Sequence, residues 1–221
     1  MATTLGTRTD VGRSVRRTPV IAVVRTPSTE EAARQARAFA AAGAELVEVT
    51  FTVPGAPRLI RELIAARGGD GPPWFGAGTV TTAARAREAV AAGAEFLVTP
   101  NVSREVAEEA RGADLFFVLG ALTPTEIVEA HQLGADLVKI YPLPPVGGPA
   151  YLATVRQPLG DLPMLAAGGF GVEEIPAYRA AGAVAFGLGP PLLGDDPEET
   201  RRRVALAIEL ARGGGPGAEG A

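Results

Sequence analysis

Gly134-Ala135-Asp136-Leu137-Val138-Lys139-Ile140-Tyr141 joins a helix end to a β-rich run and is one copy of a unit that builds the chain. A helical pattern over 125–133 runs into Gly134, where a helix end favours a left-handed residue. An acidic residue follows, and then a β-rich apolar run. The same order recurs along the chain. Gly43-Ala44-Glu45 precedes 46–50, Gly93-Ala94-Glu95 precedes 96–99, Gly112-Ala113-Asp114 precedes 115–119, and Gly182-Ala183 precedes 184–187. These glycines are spaced 50, 19, 22 and 48 residues apart, so each long gap holds two units. A unit of roughly 24 residues is one strand plus one helix, within the range of a βα pair.

Filling the gaps places the remaining strands at 20–25, 75–77 and 164–167, and eight βα units then run from Val20 to about Ala211. Ser28-Thr29-Glu30-Glu31 and Thr123-Pro124-Thr125-Glu126 read as capping boxes, and Ser103 as a further N-cap. Short apolar strands without strict alternation suit a parallel sheet covered by helices. The expectation is therefore α/β, a (β/α)8 TIM barrel in one domain, with an open doubly wound sheet as the alternative. Residues 1–18 read as an extension, a short helix over the barrel bottom. Residues 19–212 form the barrel, and 213–221, rich in Gly and Pro, read as a disordered tail.

The inventory removes most other chemistries. The chain has 221 residues, 47% of them hydrophobic, and a formal charge of -4, which offers no basic field for nucleic acid. There is no cysteine, which excludes disulfides and thiolate metal sites. The lone histidine, His131, rules out a three-histidine zinc centre and reads as a helix C-terminal residue. The apolar stretches near 20–24 and 115–122 are too short to span a bilayer. No secretory pattern follows Arg16-Arg17, so the expected location is cytoplasmic.

Of the 21 Lys and Arg residues, twenty are Arg and one is Lys139. Drift towards Arg codons replaces a generic surface cation, but guanidinium stays protonated and cannot replace a nucleophilic amine. Lys139 and Glu48 are charges inside otherwise apolar strands. Strand alternation puts Leu46, Glu48 and Thr50 on one face, and Leu137, Lys139 and Tyr141 on one face of theirs. If both faces point inward, an amine and a carboxylate share one cavity. A desolvated lysine loses its proton more easily and attacks a ketone, while Glu48 shuttles protons. The structural alternative is a buried ion pair, though such pairs often stabilise less than apolar replacements. Gly168, Gly169 and the turn at Gly187-Leu188-Gly189 offer backbone amides for an anion, or simply permit tight turns; both readings stand.

Val47-Glu48-Val49-Thr50, Gly76-Ala77-Gly78-Thr79-Val80, Thr99-Pro100-Asn101, Val138-Lys139-Ile140-Tyr141-Pro142 and Ala167-Gly168-Gly169 follow in order. Together they resemble the 2-keto-3-deoxy-6-phosphogluconate (KDPG) aldolase family, which includes the 6-phospho-2-keto-3-deoxygalactonate aldolases. The likeness covers about residues 19–210. It implies a class I aldolase of carbohydrate metabolism, of the Entner-Doudoroff type. It also implies a homotrimer that works without metal or other cofactor. Lys139 then matches the Schiff-base lysine and Glu48 the general acid/base. Thr79 matches the residue that holds the pyruvyl carboxylate, Arg25 a basic substrate contact, and Pro100 the fourth-strand wall. Tyr141 stands where Phe is usual, and Gly168 and Gly169 match the phosphate loop, with Gly189 in the turn after the last strand.

Two positions depart from the pattern. Thr52 takes a place that is Arg in the phosphogluconate enzymes, which leans towards the galactonate branch. Pro190 replaces a Ser and removes both a hydroxyl and an N–H from the phosphate site. The expected reaction is reversible cleavage of KDPG to pyruvate and glyceraldehyde 3-phosphate. Alternatives are the galactonate-derived substrate, another or unphosphorylated keto acid, carboxylate-based isomerase or synthase chemistry, and a non-catalytic trimeric scaffold.

Overall fold

The computed structural model describes residues 7–213, so the tail reading lies outside the described residues from 214 onward. α1 (Thr7–Arg17) precedes eight strands: β1 (Val20–Val24), β2 (Leu46–Thr50), β3 (Trp74–Gly78), β4 (Phe96–Val98), β5 (Phe116–Ala121), β6 (Leu137–Ile140), β7 (Met164–Ala167) and β8 (Ala185–Leu188). The helices between and after them are α2 (Thr29–Ala41), α3 (Ala56–Arg67), α4 (Ala83–Ala91), α5 (Arg104–Gly112), α6 (Pro124–Gln132), α7 (Gly148–Arg156), α8 (Ile175–Ala180) and α9 (Pro197–Arg212). Each strand pairs in parallel with the next, and β8 closes on β1 through Ile21 opposite Gly187. The sheet is a closed (β/α)8 barrel, which sets aside the open alternative.

Both strand faces are buried, and this is why the strands carry no polar alternation. Inward residues, among them Ile21, Leu46, Phe96, Val98, Phe116, Val118, Leu137 and Leu165, fill the bore. Outward residues such as Val47, Val49, Leu97, Phe117, Leu119 and Val138 pack under the helices. α1 closes the N-terminal end of the bore: Val11 and Val15 join the inner cluster, and the Trp74 indole N–H donates to Ser14 Oγ at 2.9 Å. Arg8 and Arg17 pin α1 to Asp136 and Glu45, at 3.0 and 2.8 Å. Among the described residues no helix is long and apolar enough to cross a membrane.

Ser28, Thr82, Ser103, Thr123 and Asp196 each cap a helix by accepting a backbone N–H three residues on. Thr123 and Glu126 form the reciprocal box that the sequence announces. Ser28 caps alone, because the Glu31 carboxylate is taken up by Arg34 and Gln35 instead. The repeat also slips at one place. Gly43, Gly93, Gly134 and Gly182 are left-handed as expected, but Gly112 is the last residue of α5 and the left-handed residue is Asp114 (φ 51°). Asp114 N bonds Arg111 O, as Gly43 N bonds Ala40 O, so this copy starts two residues later and β5 begins at Phe116. Asp tolerates the left-handed region through local hydrogen bonding.

The slip fixes the sign of a substitution. A Cβ on Gly112 meets nothing within 4 Å, so Gly112→Ala should stabilise by about 0.5–1 kcal/mol through helix propensity. Calorimetry should show a raised melting temperature; a lowered one would mean that Gly112 is the left-handed cap after all.

Candidate active site

β2 and β6 face each other across an eight-stranded bore and set their charged residues into it. Glu48 is 2% exposed and Lys139 9%. Room for the carboxylate comes from the neighbouring strand: Gly76 lies opposite Glu48 in register, and a Cβ on Gly78 would fall inside the Glu48 carboxyl group. Gly120, the register partner of Lys139, is needed for a similar reason, since its Cβ would strike the peptide between Pro100 and Asn101. In the sequence Gly78 stands only as part of a motif, and nothing there marks Gly120. The signal was present in the strand parity that puts Gly76 and Gly78 on the inner face beside Glu48.

The bore is a costly place for Glu48. Its Oε1 is buried without a hydrogen-bond partner. Burial pushes the carboxyl above the usual carboxylate range, while the positive charges of Lys139 and Arg25 pull it back only in part. The couple to Lys139 acts through space rather than through a direct ion pair. Lys139 Nζ lies 5.1 Å from the ring centroid of Tyr141, which is 40% exposed and forms part of the rim. The aromatic face favours a cation at that nitrogen.

Above this floor a chain of hydroxyls aims one guanidinium. Thr50 Oγ1 donates to Val24 O at 3.0 Å and lies 2.8 Å from Thr52 Oγ1. Arg25 donates through Nη1 to Thr52 Oγ1 at 3.4 Å and through Nη2 to Thr79 Oγ1 at 3.2 Å. Thr79 holds a left-handed backbone (φ 57°), a state that costs a β-branched residue on the order of 1–3 kcal/mol and that gathers at functional sites. Thr52, which the sequence marked only as a departure, thus turns out to seat Arg25.

The remaining expected residues lie at the same C-terminal end. Pro100 packs its backbone on Gly120, and Thr99 Oγ1 accepts from Gly120 N at 2.9 Å. Gly168 and Gly169 are both left-handed (φ 134° and 92°); a Cβ on Gly168 would come within 2.9 Å of Leu143 N in the loop after β6. Gly189 passes close to Val23 O. Pro190 and Pro191 open a short 3-10 turn, so neither supplies an N–H there. His131 is exposed in the last turn of α6, away from this group. A groove at the other end of the barrel, lined by Arg87, Glu95 and Glu109, contains none of these residues. Among the described residues no cluster of three or more His, Cys, Asp or Glu could hold a metal ion.

This geometry puts an amine and a carboxyl group on facing walls of a closed bore, with a guanidinium and threonine hydroxyls at its mouth. Comparison with known proteins agrees in kind. A family model, KDPG and KHG aldolase, matches residues 11–201. The 2-dehydro-3-deoxy-6-phosphogalactonate aldolase of Escherichia coli (strain K12) is 30% identical over 197 residues, covering 88% of this chain and 95% of that protein. The 2-dehydro-3-deoxy-phosphogluconate aldolase of Treponema pallidum (strain Nichols) is 32% identical over 167 residues, covering 76% and 78%. A KDPG aldolase from Legionella pneumophila, solved with pyruvate captured as a covalent carbinolamine, superimposes with a TM-score of 0.71 at 25% identity over 91% of this chain and 96% of its own. The chain therefore belongs to the KDPG and KHG aldolase family, a family of lyases.

Proposed function

We propose that this chain is a class I aldolase that reversibly cleaves 2-keto-3-deoxy-6-phosphogluconate to pyruvate and glyceraldehyde 3-phosphate through a Schiff base on Lys139. The observation that carries the proposal is the chain's one lysine, buried in the bore opposite a carboxylate whose Oε1 has no partner. The Legionella relative, with pyruvate held as a carbinolamine, supports the same chemistry.

The free amine of Lys139 attacks the C2 ketone to give a carbinolamine. Glu48 in its acid form protonates the departing hydroxyl, which leaves as water, and a protonated imine remains. The Glu48 carboxylate then accepts the C4 hydroxyl proton as the C3–C4 bond breaks. The bonding pair passes into the imine to give an enamine, and the aldehyde departs. Protonation at C3 and attack by water release pyruvate and regenerate Lys139. Burial raises the Glu48 carboxyl above the usual carboxylate range, which makes its acid form easier to reach for a group that must both give and take protons. Arg25 and Thr79 hold the substrate carboxylate, and Tyr141 favours the imine cation. Gly168 and Gly169 offer amides to the phosphate. The protonated imine is the electron sink, so the proposal invokes no metal or other cofactor. A homotrimer in the cytoplasm belongs to the same reading and rests on the family alone.

Thr52 favours a second reading, the galactonate-derived substrate, because a hydroxyl stands where the phosphogluconate enzymes carry Arg. Steady-state cleavage of the two epimeric substrates separates them: the higher kcat/KM is expected for the gluconate form, and the reverse order would install the galactonate reading. Lys139→Met should lose essentially all cleavage of either, whereas substantial remaining activity would rule out covalent catalysis by Lys139.

Glu48→Gln gives a second, opposite readout. It should lower kcat by about 10²–10⁴-fold. A carboxyl whose value is raised on folding is favourable only while protonated, so wild-type stability falls as pH rises from the ordinary carboxylate value through the folded one. The Gln variant escapes that loss. Its melting temperature should match wild type near about pH 4 and exceed it at about pH 8. A variant less stable at the higher pH would show that the Glu48 charge is well accommodated.

A further inference from the structure

We infer that Arg85, outside the mouth and absent from every motif above, is a positioning residue that holds the two hydroxyl seats of Arg25 and thereby sets the grip on the substrate carboxylate. The inference rests on the aldolase reading, because it assigns Arg25 to that carboxylate.

Arg85 is in the first turn of α4, a helix with no acidic residue in that turn. A cation there opposes the helix dipole, so helix stability does not explain it. Its backbone N–H is already satisfied by the Thr82 cap at 3.2 Å. The guanidinium instead turns back to the strand ends. Nη1 donates to Thr79 O at 3.3 Å and to Thr81 Oγ1 at 3.0 Å. These contacts brace the turn that keeps Thr79 left-handed, with its hydroxyl on Arg25 Nη2. The same guanidinium lies 5.8 Å from the ring centroid of Phe51. Phe51 sits between Thr50 and Thr52 and donates its N–H to Gly78 O at 2.7 Å. One side chain therefore reaches the backbone behind one seat, Thr79, and the residue beside the other, Thr52. Among the described residues Arg85 makes no hydrogen bond or ion pair to Glu48 or Lys139, so its influence belongs to binding and not to the covalent steps.

The test is steady-state cleavage by wild type, Arg85→Met, Arg85→Lys, Arg25→Gln and the Arg25→Gln/Arg85→Met double variant. Arg85→Met should raise KM about tenfold with kcat within about twofold, the pattern of lost uniform binding. Arg85→Lys, which keeps a donor and the charge, should recover part of the loss. In the Arg25→Gln background, Arg85→Met should add less than about twofold, because residues that act through one another are not additive. An unchanged KM in Arg85→Met, an effect confined to kcat, or full additivity in the double variant would overturn the inference. If Arg85→Met does not fold, Arg85→Lys carries the same comparison, with its smaller KM rise again lost in the Arg25→Gln background. Failure of the underlying reading looks different: wild type itself would cleave no keto acid, and the inference would fall with it.

Discussion

A carboxyl group without a partner, enclosed in a closed barrel across from the chain's one amine, is the constraint around which the rest of the molecule is arranged. Glu48 costs stability where it sits, since burial outweighs the attraction of Lys139 and Arg25. The surroundings are shaped to that position. Gly78 leaves a hollow of carboxylate size on the next strand, and Gly120, the β5 register partner of Lys139, lets the Pro100 peptide beyond β4 pack closely against β5. Below, Leu46, Phe96, Phe116 and Leu165 fill the bore and keep water out. In such a dry site fixed charges act more strongly than in water, which is the usual source of enzymatic transition-state stabilisation.

The two ends of the barrel divide the labour between stability and function, as the fold generally does. At the N-terminal end the acidic residues of the repeat have become anchors. Glu45, Glu95 and Asp136 receive Arg17, Arg67 and Arg8, and Glu95 and Asp136 also accept the amides of Phe75 and Phe117 on the preceding strands. Burial raises Glu95 and Asp136 while these hydrogen bonds and cations oppose the rise. At the C-terminal end the polar groups are strung together loosely by threonine hydroxyls, and one of them, Thr79, is held in a strained backbone state. Paired acids and arginines anchor the structural end, and the unpartnered Glu48 Oε1 and the strained Thr79 lie at the chemical one.

The sequence shows the barrel clearly because its signals are local. A glycine at a helix end, usually an acid, and an apolar run repeat about every 24 residues, and no long-range contact is needed to see them. Glu48 and Lys139 stand out because a charge in an apolar strand is rare whatever the fold. The rest depends on which partner each residue finds in three dimensions. At Gly112 the composition of the repeat is kept while its frame moves by two residues, and only the hydrogen bonds of Asp114 reveal it. Glu31 has the right spacing for a capping box but nearer partners in Arg34 and Gln35. Gly120 and Arg85 act between elements, where sequence separation carries no information about distance. Thr52 was visible as an odd residue, but its seat under Arg25 appears only once β1, β2 and β3 converge.

Incubating the protein with pyruvate and borohydride, digesting it, and locating the adduct by mass spectrometry tests covalent catalysis at Lys139. A single reduced pyruvyl group on Lys139 is expected, formed more slowly in Glu48→Gln. No adduct, or an adduct placed on any other group of the chain, would contradict it.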